Sequence, residues 1–561
     1  MSNAKSRIPA LSARGFWLCV AGIVAVKLVL ASFQMAYIWV GGAPLDDELM
    51  FRAANAISAG DWLGAYDYLT LSKSMFFAVW LAALHALHLP YLISGQALWC
   101  AASLLAAQAF LPWLRRAGWG SWARLALFAV LAFNPAASAA YTLRVYRDNI
   151  FPALCLVCFA GFCGAVLRAL FAPDARLWPW LLAAGGGLTA GYLDREDAGL
   201  FLLPFAALAT VALAWLALRR RCPARLGALA WPFAMLAAGI LAFCGLNWQH
   251  YGVFALSDFS GGSFADAMGA MYRVAAPEGF TPLVGVTKGT RELLYEQVPE
   301  LQPLEYWLEE DPQLQNDFRD PELDDYRVGS FYWAIRRAAQ YEGIYDTAAG
   351  AEAYWQGVAD RINALCDDGT LPSWTGQRSS TTPPIRGEYV LPVLAESARG
   401  AVWALTFQDC APYETLRSIG TEEDFAAWTG YLNCPVNGAA EAGKDTPYYS
   451  PWQKMAFGVL EGIRYVYAAL LPLAFLYTLY LNLKNIPVVF KSRCSGAVLP
   501  WAMLWVLLFM AALRCAMIAF VEVSSFGIGT STMYLATVHP LLILFAAVGV
   551  LTGRRVRHAD A

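Results

Sequence analysis

Eleven stretches of this chain are apolar over lengths comparable with the thickness of a bilayer, and no other feature restricts its possible folds as tightly. A hydrocarbon core of about 30 Å is crossed by about 20 helical residues, and every backbone polar group inside it must be bonded within the protein. The runs fall roughly at 16–40, 74–89, 91–114, 125–143, 149–167, 177–193, 198–218, 226–247, 465–483, 497–520 and 533–551. With 58% hydrophobic and only 15% charged residues among 561, the chain lies outside the range of soluble globular domains. The expectation is an all-α polytopic membrane protein of about ten or eleven transmembrane helices. The first run is longer than a secretory h-region and lacks a small-residue cleavage site, so it reads as a retained span.

Charge divides the chain into three parts. Residues 249–454 hold 30 Asp or Glu against 14 Lys or Arg, within a chain whose net charge is only −3. The remainder is therefore basic, and much of its charge lies in short loops beside spans. Lys5, Arg7, Arg14, Arg115, Arg116, Arg219, Arg220, Arg221, Lys484, Lys491, Arg493, Arg554 and Arg555 are expected to be cytoplasmic by the positive-inside rule, and the acidic part extracytoplasmic. The expected domains are an N-terminal transmembrane module, 1–248, an inserted extracytoplasmic domain, 249–454, and C-terminal transmembrane helices, 455–561. This topology leaves room for one crossing where 74–89 and 91–114 supply two runs. The shorter run, with His85 and His88, is expected to be re-entrant or half-buried. No basic patch points to nucleic acid.

An insert of about 200 residues is long enough for its own core and too long for a passive connector. Its strongest helical signal spans Ala349–Cys366, with Trp355, Ala359, Ile362 and Cys366 on one face and Gly369 as a stop. A second helix is expected over Ser330–Tyr341. The twelve cysteines lie mostly in apolar runs, where a thiol behaves as a small hydrophobe, and they are assigned no metal or redox role. Cys410–Cys434 is the one disulfide considered in the outer part.

The acids outside the insert are few and clustered. Asp46, Asp47 and Glu48 follow the first span, Asp148 lies in Tyr146-Arg147-Asp148-Asn149, and Asp194, Glu196 and Asp197 surround Arg195. In the expected topology all seven carboxylates emerge at the outer edge of the bilayer. Ionised groups near hydrocarbon are costly and are usually retained for pairing or function. A plainer reading is that these acids cap helix N-termini and complement their dipoles. Lys73, Arg144, Arg147 and Arg195 share the same face. Carboxylates mixed with guanidinium groups suit a substrate that is anionic at its lipid end and polar at its reacting end, because Arg grips phosphate bidentately. A polyprenyl-phosphate sugar fits that description. A carboxylate would take a proton from an acceptor hydroxyl, and the cations, or a Mg²⁺ or Mn²⁺ ion, would stabilise the departing phosphate. The aromatic segment Gly60 to Tyr68 is expected along the interface. Arg514 and Glu522, together with Glu461 and Arg464, read as buried pairs that hold spans together. His250 and His539 read as satisfied interfacial or core residues, and Tyr534 to Pro540 as a candidate lining of the donor cavity.

A first span followed by Asp46-Asp47-Glu48 in an outer loop, then many spans with further acids at their outer edge, resembles the GT-C superfamily of membrane glycosyltransferases. The chain is also similar to a group of bacterial multi-pass membrane proteins in Gly60-Asp61-Trp62-Leu63-Gly64 with Lys73, in Asn247 to Arg273, and in Ile362 to Gly369. The GT-C resemblance implies transfer of a sugar from a polyprenyl-phosphate carrier to a cell-surface glycan, lipid or protein, with inversion, at the outer face of the plasma membrane. It implies Asp46 or Asp47 as catalytic base, Asp148 or Glu196 as the second-loop acid, and Asp47 with Glu48 as metal-facing carboxylates. Lys73, Arg144, Arg147, Asp194 and Arg195 are the expected substrate-binding residues. The large insert between spans and an Asp-Asp-Glu in place of Asp-X-Asp depart from that pattern.

Two other readings compete. A transporter or flippase of a lipid-linked glycan would place charges near mid-bilayer on discontinuous spans in repeat-related halves. A membrane scaffold would use the spans only as anchors. The sequence shows no internal repeat, and most of its charges lie at span ends.

Overall fold

A computed structural model describes residues 11–41, 44–222, 224–259, 261–438, 446–492, 495–529 and 531–553. Lys5, Arg7, Arg493, Arg554, Arg555 and Asp560 lie outside them. Each of the eleven apolar runs contains a helix, but among the described residues only seven helices are long and apolar enough to cross a membrane: Ala13–Ala31, Tyr91–Arg116, Phe151–Phe171, Ala198–Arg219, Arg225–Tyr251, Pro451–Val489 and Gly496–Phe526. Three shorter apolar helices, Phe76–Ala86, Ser121–Ala132 and Val538–Thr552, accompany them, and the run at 177–193 becomes Trp178–Asp194. The chain is a multi-pass α-helical membrane protein.

The short helices have local causes. Phe76–Ala86 rises only about 16 Å, so the half-buried expectation for this run agrees with its length. The expected crossing at 125–143 is corrected. Its helix stops at Ala132 because Pro135 lacks an N–H, and the Asn134 side chain instead accepts from Ala136 N in a short 3₁₀ turn.

The central helix of the bundle is Phe151–Phe171, which packs most closely on Trp178–Asp194. A Cβ at Gly161 would stand 2.4 Å from the Ala184 nitrogen, and one at Gly187 2.4 Å from the Cys158 nitrogen. Small residues thus let these two backbones approach, the usual device where lipid supplies no hydrophobic drive for helix association. Cys155 and Cys158 have the two-residue spacing of a redox motif, but both are free and buried in this apolar helix.

The acidic stretch is divided among three cores. Residues from Phe264 to Leu371 build a core of their own around Trp355, Tyr326 and Phe331. The expected helices appear there as Val328–Tyr341 and Ala348–Asp367. By contrast, the helix Val390–Thr406 packs on membrane helices, with Ala404, Phe407 and Cys410 inside the bundle core. The helix Glu422–Leu432 joins a third core with Asp47–Ala59 and Phe76–Ala86, where Cys434 is buried. Cys410 and Cys434 therefore belong to different cores, and both are free thiols; the disulfide expectation is corrected. Cys410 Sγ lies 3.7 Å from His539 Nε2 instead.

Residues 36–40 are extended and act as a hub. Ala36 N donates to Pro435 O, Val40 N to Ile419 O, and Tyr37 exchanges backbone hydrogen bonds with Leu143 and Val145. This pairing fixes the backbone at Arg144 beside the start of Asp47–Ala59.

Candidate functional site

The three acidic clusters meet where several helix ends converge. Asp47 opens the helix Asp47–Ala59, and Arg147-Asp148-Asn149 forms a 3₁₀ turn before Phe151–Phe171. Asp194 ends Trp178–Asp194, and Asp197 precedes Ala198–Arg219. Asp148 and Asp197 thus stand at the positive N-terminal ends of two membrane helices, where a carboxylate is favoured by about 0.3 to 1 kcal/mol. The plainer capping reading holds for their positions, but their side chains are engaged in ion pairs.

Asp47 is fully buried and accepts from Arg144 Nε at 2.8 and 3.0 Å, and Arg144 Nη2 stands 2.6 Å from Asp47 Oδ1. Asp46 keeps a third of its side chain open. It accepts from Lys73 Nζ and from Tyr146 OH, the latter at 2.9 Å, and Arg144 Nη2 lies 3.6 Å from its other oxygen. Tyr146 OH also accepts from Arg147 Nη2 at 2.7 Å. Arg147 Nη1 grips both oxygens of Glu196 at 2.9 and 2.8 Å, and Ser74 N donates to Glu196 Oε1 at 2.6 Å. Asp148 pairs with Arg195 at 3.2 Å, Arg195 with Asp197 at 3.1 Å, and Asp197 with Arg514 at 2.6 Å.

Six acids, Asp46, Asp47, Asp148, Asp194, Glu196 and Asp197, therefore face five cations, Lys73, Arg144, Arg147, Arg195 and Arg514. Glu48, the seventh expected acid, takes part in none of these contacts among the described residues. Asp194 is buried beside Arg147 and Arg195, yet neither of its carboxylate oxygens has a hydrogen-bond partner.

Burial and partners compete over the ionisation of these acids: burial prevails at Asp47, which it pushes up to about 7, and at Asp148, and the partners prevail at Asp46 and Glu196. Burial works against the charged form of Asp46, but the Lys73 ammonium, the Arg144 guanidinium and the bonds from Lys73 and Tyr146 outweigh it and hold Asp46 well below the usual carboxylate range. Burial likewise opposes ionisation of Glu196, and Arg147 with the Ser74 amide reverses it and lowers that carboxyl too.

The inserted part reaches into the site. Tyr332 OH donates to Ser72 O at 3.0 Å, and Arg336 donates to Tyr68 O and pairs with Asp258 at 2.8 Å. The loop Tyr66 to Ser74 is thereby clamped, and Lys73 Nζ rests 5.1 Å from the Trp333 ring centre. Trp39 lies 5.5 Å from the Arg144 guanidinium. The segment Gly60 to Tyr68 is a turn pinned to Arg225–Tyr251, with Trp62 Nε1 donating to Asn247 Oδ1 at 2.8 Å and Tyr251 OH to Gly64 O at 2.8 Å.

Of the four residues expected to form buried pairs between spans, Arg514 pairs outside the set. Arg514 turns to Asp197 and donates to Tyr534 O at 3.2 Å, because Glu522 lies beyond it and accepts from Gly529 N. Glu461 and Arg464 pair with each other three residues apart. Sequence reasoning thus missed Arg514 and the bridging role of Tyr146 as members of the network. A lone cation within an otherwise apolar helix was the available signal for Arg514.

As arranged, the acids fit a divalent cation poorly. Both Asp47 oxygens are taken by Arg144, and among the described residues no group of three or more His, Cys, Asp or Glu is gathered to hold a metal ion. Mg²⁺ and Mn²⁺ require several free oxygen donors.

These observations define a multi-pass helical membrane protein with a buried ion-pair network that opens at Asp46. No family model matches the sequence, and no curated protein does. Two solved structures are similar, both of ArnT from Cupriavidus metallidurans. The apo form has 14% identity and a TM-score of 0.29 over 97% of this chain and 78% of that one. The form bound to undecaprenyl phosphate has 14% identity and a TM-score of 0.28 over 96% and 79%.

Proposed function

We propose that the protein is a GT-C-type glycosyltransferase that moves a sugar from a polyprenyl-phosphate carrier to an extracytoplasmic acceptor at the plasma membrane of a bacterium. The observation that carries this reading is Asp46, an ionised and partly open carboxylate in direct contact with Lys73, Tyr146 and Arg144. A base flanked by phosphate-binding cations is what transfer from a phosphodiester-linked sugar requires.

In the free protein the cations neutralise Asp46 and lower its basicity. When the donor phosphate arrives, Lys73 and Arg144 turn toward it, and Asp46 loses the partners that hold its affinity for protons down. The acceptor oxygen then attacks the anomeric carbon while its proton passes to Asp46. The bond from that carbon to the phosphate oxygen breaks, and the polyprenyl phosphate leaves with the electron pair, its charge met by the same cations. One displacement inverts the anomeric centre. Asp47 positions Arg144, and Glu196 positions Arg147. Trp39 and Trp333, beside these cations, offer faces for a sugar ring.

The test is transfer from a panel of polyprenyl-phosphate sugars by purified protein, with the configuration of the product read by NMR. Inverted product from one donor supports the reading. Absence of turnover with every donor, together with lipid binding that ignores Asp46, would move the weight to transport of the lipid-linked glycan.

A further inference from the structure

At the other end of the bundle the sequence places a second kind of site. The helix Phe151–Phe171 starts at the ion-pair network, and Arg168, about 25 Å further along it, donates to the carbonyls of Gln108 and Ala109. The Gln108 side chain accepts in turn from Arg124. Beside Arg124 lies a cavity of about 330 Å³, walled by Phe16, Trp17 and Leu111 on its apolar side and by Arg115, Ser121 and Arg124 on its polar side.

We propose that this cavity binds the phosphate headgroup of an anionic glycerophospholipid. Four observations support it. The cavity is amphipathic in the sense that a lipid demands, with an aromatic and aliphatic wall running into two guanidinium groups. Arg124 is held in place by the Phe16 ring, 3.3 Å from the guanidinium, and by Gln108, yet its Nε is buried with no hydrogen-bond partner. The helix Ser121–Ala132 begins at the cavity with no side-chain cap, so its first amides point at any anion seated there. Finally, cations outnumber acids around it among the described residues: Arg116, Arg168, Arg219, Arg220 and Arg225 lie at this end, against Asp174 as the acid nearest to them in sequence. Trp17, Trp119 and Trp122, each more than a third exposed, mark the same level as a membrane interface. A phosphate with acyl chains satisfies the guanidinium groups and the apolar wall together, whereas free phosphate satisfies only the former.

The full-length protein would be reconstituted in nanodiscs of phosphatidylcholine with a minor share of phosphatidylglycerol, re-extracted in mild detergent, and its retained lipid counted by native mass spectrometry. Wild type should keep one phosphatidylglycerol per chain in preference to phosphatidylcholine. Arg115→Gln, an exposed position that leaves folding intact, should weaken retention about fivefold, and Arg115→Gln with Arg124→Gln about thirtyfold. Equal retention of the two lipids, or unchanged retention in Arg115→Gln, overturns the proposal. Displacement of the lipid by millimolar inorganic phosphate overturns the lipid as the source of the anion.

Discussion

Arg514 and Asp197 are 317 positions apart and meet at 2.6 Å, joining the C-terminal helix Ser495–Val521 to the start of Ala198–Arg219. Arg514 is completely buried, and Asp197 also holds Arg195, which holds Asp148. The contact is thus the far link of a chain of charges that begins at Asp46 and Asp47. Its consequence is that the C-terminal helices belong to the same polar framework as the N-terminal acids.

Removing one member of a buried pair leaves an uncompensated charge, at a cost of about 3 to 5 kcal/mol. Arg514→Met should therefore lower the thermal midpoint in detergent markedly. Asp197→Asn adds less once Arg514 is gone, because the two act together, with a coupling of about 1 kcal/mol or more. Strict additivity in that double-mutant cycle would show that the contact does not hold the bundle together.

Asp46 and Asp47 are adjacent but should fail differently. Asp46→Asn keeps the size of a partly open side chain, so the protein should stay folded while transfer falls by about two to four orders of magnitude. Asp47→Asn strips the buried Arg144 of its counter-charge and should cost stability as well as activity. Sugar transfer measured beside thermal unfolding separates the two, and an active Asp46→Asn protein would remove Asp46 as the base.

The pH response follows from the lowered Asp46 and Glu196 carboxyls. A carboxyl depressed in the folded state gives stability that is fully present above its ordinary titration, near pH 4 to 4.5, and is lost as pH falls through the folded value. The share of the thermal midpoint that Asp46 and Glu196 supply should hence be flat on the acid side of neutrality and decline only below about pH 4, whereas Asp47, pushed up to about 7 by burial, should add stability as pH falls through neutrality. In the free enzyme kcat/KM should show no carboxylate limb above about pH 5. A thermal midpoint that falls between pH 7 and 5 would contradict the pairing of Asp46 with Lys73 and Arg144.

Much of this site was legible from residue type and position. The clusters at 46–48, 144–148 and 194–197 stand out because charges are scarce elsewhere in the membrane parts, and scarcity is visible in a sequence. Distance across the fold is not visible. The sequence groups Arg514 with Glu461, Arg464 and Glu522 in the C-terminal part, whereas its partner Asp197 lies 317 positions earlier. The same limit affected the disulfide, since Cys410 and Cys434 are close in sequence but lie in different cores. Apolar runs likewise disclosed where helices lie better than how far they extend. The one at 125–143 is cut short by Asn134-Pro135, whose local hydrogen bonding outweighs hydropathy.

Helix approach gives the last prediction. Gly161 and Gly187 face the opposing backbone in the Phe151–Phe171 and Trp178–Asp194 pair, at distances no Cβ tolerates. Since backbone rather than a flexible side chain is in the way, Gly187→Ala must push the helices apart, and overpacking of this kind costs about 1 to 3 kcal/mol. The same separation would shift Asp194 at the end of one helix relative to Arg147 before the other, so activity should fall together with stability. Gly22→Ala and Gly245→Ala, where a Cβ meets nothing within 4 Å, serve as matched controls and should be neutral or slightly stabilising. Thermal unfolding of the three variants decides the matter: a Gly187→Ala protein as stable as the controls would mean that these two helices do not pack so closely.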